Sequence, residues 1–355
     1  MKTFNIAVMR RPGGLGDQLC CSVAARAAKE KYAHDHVTFI TNGQCHPLFF
    51  DQHLCDEVIS GTGTRQYDHI FDLDGPEKRY DRNVNWDIKK SRNQVFCEAV
   101  DHIPDDLCPH WTPSKEEINR CIGIIAHGGI EPFGFIAFQW QAAAAYKDLP
   151  TLTSQEVVVD LISRGHRVIV FHSNDNMPKA VKEGADIAVN LPIRTLATLI
   201  WLSGIVIAPD SGLMHMAAAT ETPCLALFGP TDPRTTLEHY PLARYMWAVD
   251  ELPHYTCQKP CWGNTARNFP QPGCSLDHTT CMSILHSKDI IEQSERLLSD
   301  MFIHNQNRMG TLQGKPIIGD VARGAISTAT ADVLMYMPKD CGDLREPIMA
   351  ERMPR

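Results

Sequence analysis

Between Ile205 and Arg234 the chain reads IVIAPDSGLMHMAAATETPCLALFGPTDPR, and the residues in it that can do chemistry gather at two turns. Asp210-Ser211-Gly212-Leu213 interrupts an apolar run and opens an alanine-rich segment. The free backbone amides of such a turn, and the dipole of the helix it begins, suit an anion such as a diphosphate. Asp210 is placed to fix the turn by accepting backbone amide bonds. His215, three residues after Gly212, falls on the first helical turn. There it either stabilises the turn or meets the anion, as a hydrogen-bond donor or as a cation. Gly229-Pro230-Thr231 makes the second turn. A further glycine cluster, Gly13-Gly14-Leu15-Gly16-Asp17, stands near the start of the chain, where glycines let backbone approach a ligand closely. It lacks the Lys-Ser/Thr of a phosphate-cradling loop, and by residue type alone Asp17 reads as a helix cap.

These turns need strands and helices to hold them. Ile205 to Ala208 reads as a buried strand, Leu213 to Thr220 as a helix stopped by Thr222-Pro223, and Cys224 to Phe228 as the next strand. Strand, turn, helix and strand make a βαβ unit of a parallel sheet, and ligands bind such sheets beyond the carboxyl ends of their strands. Phe4 to Met9, Val37 to Thr41, Asp56 to Ser60 and His69 to Leu73 read as strands, with an alanine-rich helix over Leu19 to Lys31. The pattern resumes with a strand at Phe133 to Gln139, a helix at Ser154 to Ser163, strands at Arg167 to Phe171 and Ala185 to Asn190, and a helix at Thr195 to Ser203. Glu77 to Asn93 is charged and aperiodic, with six basic residues from Lys78 to Arg92. It reads equally as a solvated loop and as a surface for an anionic acceptor. Pro109 to Ile130 reads as the region where one domain ends and a linker begins.

A chain of 355 residues suffices for two domains, each with its own core. A net charge of −8 argues against whole-surface attraction to nucleic acid or anionic lipid. No apolar run reaches membrane-span length, and Arg10-Arg11 interrupts the first apolar run where a leader would continue, so a cytoplasmic protein is expected.

The ordered set of Asp-Ser-Gly turn, His215, alanine-rich helix and Phe228-Gly229-Pro230-Thr231-Asp232-Pro233 resembles glycosyltransferase family 9, the heptosyltransferase-like family. Gly14-Leu15-Gly16-Asp17 matches the same family's opening turn. The resemblance, over roughly Phe4 to Phe302, implies an α/β chain of GT-B plan, two Rossmann-like domains facing across a cleft. The expected boundaries are 1–125 for an acceptor-side domain, 126–303 for a nucleotide-sugar domain, and 304–355 for an extended tail. It implies an inverting enzyme that moves a sugar, heptose or similar, from a nucleotide-sugar donor resembling ADP-heptose to an acceptor hydroxyl. Asp17 would be the general base, a task suiting a carboxylate whose pKa partial burial lifts and no neighbouring cation holds down. Gly13, Gly14 and Gly16 would line the acceptor side, while Lys147, Asp210, Ser211, Gly212, Leu213, His215, Gly229 and Thr231 would hold the donor. Lys147 stands in Tyr-Lys-Asp-Leu-Pro, with Leu149 where the family has Trp. No catalytic metal is expected, and Asp68, Asp72 and Asp74 read as ordinary strand-end carboxylates.

Cys257, Cys261, Cys274 and Cys281 lie in one Pro/Gly-punctuated segment, 257–281. Their spacing is compatible with a structural zinc or iron site, with free thiols or with disulfides. Family members carry a cysteine-rich segment there, and the related autotransporter heptosyltransferases hold iron. Residues 305–355 lack periodicity and read as an arm that could clasp a second copy. The acceptor is expected to be a glycan, a protein or, last, a nucleic acid. The same fold would also serve a non-catalytic nucleotide-sugar-binding protein, or an epimerase or hydrolase of nucleotide sugars.

Overall fold

The computed structural model describes residues 3–10, 13–61, 66–76, 89–174, 176–251, 280–314 and 334–336. Two sheets form. The first holds β1 (Asn5–Met9), β2 (His36–Thr41), β3 (Glu57–Ser60) and β4 (His69–Asp72), all parallel, in the order β3-β2-β1-β4. The second holds β5 (Phe135–Gln139), β6 (Arg167–His172), β7 (Asp186–Val189), β8 (Ile205–Pro209), β9 (Cys224–Phe228), β10 (Ala243–Trp247) and β11 (Leu334–Tyr336). Its order is β10-β9-β8-β5-β6-β7-β11, parallel except for β11, which pairs antiparallel with β7. This α/β arrangement of two parallel sheets is the GT-B plan.

Period-two side-chain alternation decides which residues face which layer. On β5, Phe135 and Ala137 enter one apolar cluster while Ile136 and Phe138 enter another; on β8, Val206 and Ala208 part from Ile205 and Ile207 in the same way. The first cluster is continuous from Leu19 and Phe39 beside the first sheet to Leu202 and Phe228 beside the second. The two halves therefore share this cluster, while the other lies wholly in the second half. The reason is the first helix, Leu15–Lys31, whose alanines and cysteines are small enough for both halves to close on it.

Several described elements differ from the sequence reading, and four matter most. Lys115–His127 is a helix within the expected linker, started by a capping box in which Ser114 and Glu117 satisfy each other's backbone amides. Arg92–Ala99 is a helix capped by Ser91 at the end of the charged stretch. Phe302–Gly314 continues as a helix where an extended tail was expected. Arg308 anchors it, stacking over Phe133 with its guanidinium 4.4 Å from the ring centre and donating to the Ser203 and Trp201 carbonyls. β10 was not anticipated, because Arg244 and Tyr245 interrupt its apolar pattern with exposed side chains. Asp68 and Asp72 do act as strand-end carboxylates, accepting from the amides of Asn5 and Asp74. None of the helices in the described residues is long and apolar enough to cross a membrane.

Candidate active site

In the second sheet the chain runs outward from β5 through β6 to β7 and, on the other side, from β8 through β9 to β10. The switch point is therefore the gap between β5 and β8, where the turns after those strands diverge and leave a crevice. Lys147 and Asp210 meet there. Lys147 ends a short 3-10 turn, Ala145–Lys147, in the loop after β5, and its ammonium lies 2.6 Å from Asp210 Oδ2 in the turn after β8. Thr231, after β9, donates to the same oxygen at 2.8 Å. Three strand ends thus converge on one carboxylate. Ser211 Oγ adds a hydrogen bond to Gln139 Oε1 across the same gap. Asp210 does not fix its turn through backbone amides as expected; it is held by a lysine and a threonine. Burial alone would raise its pKa, but the Lys147 charge and hydrogen bond, with a smaller part from Thr231, bring it down to about 2.

Gly212 opens the helix Gly212–Ala219, and the helix Leu15–Lys31 from the other half packs against it. The two N-termini lock through reciprocal glycines. A side chain at Gly16 would collide with the His215 ring, its Cβ falling 2.9 Å from Nε2; one at Gly212 would sit 3.0 Å from Leu15 Cβ. Glycine is required at Gly16 by this approach and at Gly13 by its φ of +111°. Leu213, 8% exposed, packs into the shared core, so of the residues in this turn it is the backbone amides of Ser211, Gly212 and Leu213 that remain to face a ligand. At Gly229 a Cβ would come 2.6 Å from Met282 Sδ, because the helix Thr280–Ser283 is packed onto this turn; its carbonyl accepts from Trp247 Nε1 at 3.2 Å.

Asp17 occupies the third position of the first helix, and its Oδ2 accepts from the Gly14 amide at 3.1 Å, so the capping reading holds. It also faces two cations: Oδ1 lies 3.1 Å from Arg92 and 3.5 Å from Arg10. Burial pushes its pKa up, but Arg92, Arg10 and the Gly14 amide together hold it below the usual carboxylate value. The condition set out from sequence, a lifted pKa with no cation nearby, is not met in this conformation. For His215 the two charge states left open by the sequence part here. It is 3% exposed, and burial drops its pKa to about 4 against the pull of Asp210, with Arg92 and Lys147 adding to the drop. At neutral pH it is a neutral imidazole and not a cation.

The structure brings together Gly13, Gly14, Gly16, Asp17, Lys147, Asp210, Ser211, Gly212, His215 and Thr231. Cys257, Cys261 and Cys274 lie outside the described residues, so the four-cysteine set is untested; Cys281 is half-buried, beside Gly229. Several contributors were not singled out. Gln18, fully buried, donates to the Arg10 carbonyl at 3.0 Å and accepts from Thr41 Oγ1 at 2.6 Å, tying the loop after β1 to the end of β2. Arg10, Gln139, Cys20 and Tyr240 also take part. A polar residue on the apolar side of an alanine-rich helix was a readable sign for Gln18. Tyr240 carried none, standing in an irregular stretch 25 residues after His215.

Comparisons with known proteins bear on the family and the fold. Residues 124–262 match the family model for Glycosyltransferase family 9 (heptosyltransferase). The lipooligosaccharide heptosyltransferase 2 of Haemophilus influenzae is 37% identical over 87 residues, 21% of this chain and 25% of that protein, so the match spans a quarter of that relative's length. A glycosyltransferase of family 9 from Veillonella parvula superposes with a TM-score of 0.63 at 16% identity, covering 84% of this chain and 97% of the other. The ADP-heptose LPS heptosyltransferase II of Escherichia coli superposes with a TM-score of 0.59 at 15% identity, covering 84% and 99%. The resemblance read from the motifs is thus borne out: residues 124–262 are a glycosyltransferase family 9 segment, set in a chain with the fold of that family's solved members.

Proposed function

We propose that the protein is an inverting glycosyltransferase that moves heptose or a similar sugar from a nucleoside-diphosphate donor, ADP-heptose being nearest in kind, to an acceptor hydroxyl. The observation that carries this is the convergence of Lys147, Asp210 and Thr231 at the switch point, with the Asp17 turn facing them across the seam between two helix N-termini. In this reading the acceptor oxygen attacks the anomeric carbon as the bond from that carbon to the diphosphate breaks on the opposite face. The acceptor's proton passes to Asp17, and the bond's electron pair leaves with the nucleoside diphosphate. The amides of Ser211, Gly212 and Leu213, together with the Lys147 ammonium, would hold the leaving charge, a preorganised electrostatic stabilisation that needs no metal. Gly13, Gly14 and Gly16 would let the acceptor approach Asp17. As a strongly ionised carboxylate, Asp17 is ready to take a proton but is a weak base. Its contacts with Arg10 and Arg92 must therefore loosen in the loaded enzyme, as they would if those guanidiniums turned to a bound anion.

A thermal-shift screen against ADP-, UDP-, GDP- and CMP-linked sugars, each beside its free nucleotide, tests the donor. Binding linkage gives about 2.7 kcal/mol at a hundredfold excess over Kd. One specific hit names the donor; no hit with folded protein removes the proposal. Product analysis with and without acceptor then separates transfer from hydrolysis or epimerisation. Four further parts of the proposal reach beyond the site. The set Cys257, Cys261, Cys274 and Cys281 would hold a structural zinc or iron, which metal analysis of the purified protein and of a Cys281→Ser variant decides. A cytoplasmic location is supported by free, buried thiols at Cys45, Cys97, Cys121 and Cys224. The acceptor would be a glycan or protein, and a homo-oligomer formed through residues 305–355 is tested by light scattering.

A further inference from the structure

His215 Nδ1 does not face the crevice. It points away, to the Tyr240 hydroxyl at 2.6 Å, with Cys20 Sγ 3.6 Å from the same nitrogen. Nε2 is on the other side of the ring, beside Gly16 at the seam where the two helix N-termini meet, and makes no hydrogen bond among the described residues. A neutral imidazole carries one N–H, and the bond made by one nitrogen decides which. Tyr240 is 3% exposed and keeps its proton, burial holding its pKa well above the ordinary value. Its O–H has two acceptors in reach: the imidazole nitrogen at 2.6 Å, and the Cys20 sulfur at 3.8 Å, a weak acceptor at long range. Asn93 Nδ2 donates to the Leu107 carbonyl at 2.8 Å, and the influence of Asn93 on Tyr240 is that of a donor, lowering its pKa against the effect of burial. Were His215 to donate from Nδ1 instead, the Tyr240 hydrogen would be left to the distant sulfur alone. That arrangement strands a buried donor, which is costly.

We infer that Tyr240 is a positioning residue that donates to His215 Nδ1 and so fixes the tautomer whose Nε2–H is presented at the seam, as a neutral donor to an oxygen of the donor's diphosphate. The arrangement joins the two halves of the chain, because Cys20 and Asn93 come from one and His215 and Tyr240 from the other. It rests on the proposed function only for the identity of the ligand oxygen; the tautomer is a property of the protein by itself. A lysine there would bring charge but also compete for Asp210. A neutral N–H adds a directed hydrogen bond without disturbing that ion pair.

Two-bond ¹H–¹⁵N correlation on protein labelled at histidine nitrogens reads the tautomer directly, the His215 signals being assigned by their loss in His215→Gln. The inference predicts protonated Nε2 and bare Nδ1 in the wild type. In Tyr240→Phe, which keeps the ring, it predicts a mixture of tautomers and ADP binding weakened about twofold, in proportion to the fraction left in the competent tautomer. A wild type protonated at Nδ1, or a Tyr240→Phe protein with unchanged tautomer, overturns it. If the wild-type tautomer is as predicted but ADP does not bind, the donor assignment falls and the role of Tyr240 in setting the tautomer stands.

Discussion

Because His215 is held neutral by burial, protonating it should be opposed by the whole fold, and the opposition can be measured. Its pKa is about 4 in the folded protein against 6.5 for an unperturbed imidazole. Between these values the unfolded chain binds the proton and the folded chain does not, so stability is fully present above pH 6.5 and is lost as pH falls toward 4. Over the full window the loss comes to about 3 kcal/mol; between pH 7 and pH 5 it is about 2 kcal/mol. Other groups titrate as well. Asp186, lifted to about 6 by burial against the pull of Arg167, works in the opposite direction, since its stability contribution is lost as pH rises. The informative quantity is therefore a difference of differences. Urea unfolding of wild type and of His215→Gln at both pH values cancels the shared groups. The wild type should lose about 2 kcal/mol more than the variant on going from pH 7 to pH 5. Equal pH dependence in the two proteins would mean that His215 is not buried as a neutral imidazole. The argument that it contributes a hydrogen bond and not a charge to the site would then fail.

Two further outcomes follow from the packing. Gly16→Ala gains about 1 kcal/mol of helix propensity but drives a methyl into the His215 ring, an overpacking cost of about 1–3 kcal/mol, so the variant should melt at or below the wild-type temperature and bind donor more weakly. A more stable variant with unchanged binding would deny the close approach of the two helices. Lys147→Met should weaken donor binding and cost on the order of 2 kcal/mol at neutral pH, because Asp210 keeps its burial and loses its cation. Adding Asp210→Asn should restore much of the stability but none of the affinity; recovery of both would assign Lys147 a purely structural role.

The sequence was most informative where local chemistry and local structure coincide. The strand from Ile205, the Asp210-Ser211-Gly212 turn and the strand from Cys224 follow one another within a few residues, and the structure has them within a residue of their expected bounds. The helix at Lys115–His127 was harder to read because its apolar positions serve packing between halves, in a stretch that reads as a linker. What could not be read was contact across the chain. Asp17 and Arg92 are 75 residues apart, Lys147 and Asp210 63, Cys20 and Tyr240 220. Periodicity places each on its element but says nothing of its neighbour. The pKa shifts of Asp17 and His215 could not be read for that reason, since they come from burial and from partners supplied by distant segments.

Substitution of Asp17 by Asn tests the central claim most directly. Asn keeps an oxygen to accept from the Gly14 amide, so the helix start is preserved while the proton acceptor is removed. With the donor found by the nucleotide screen and an accepting sugar hydroxyl, the variant should lose transfer by about 10²- to 10⁴-fold, the range of a general base, while binding donor within about threefold of wild type. Transfer at the wild-type rate, or equal loss of binding and transfer, would contradict the assignment of Asp17 as the base.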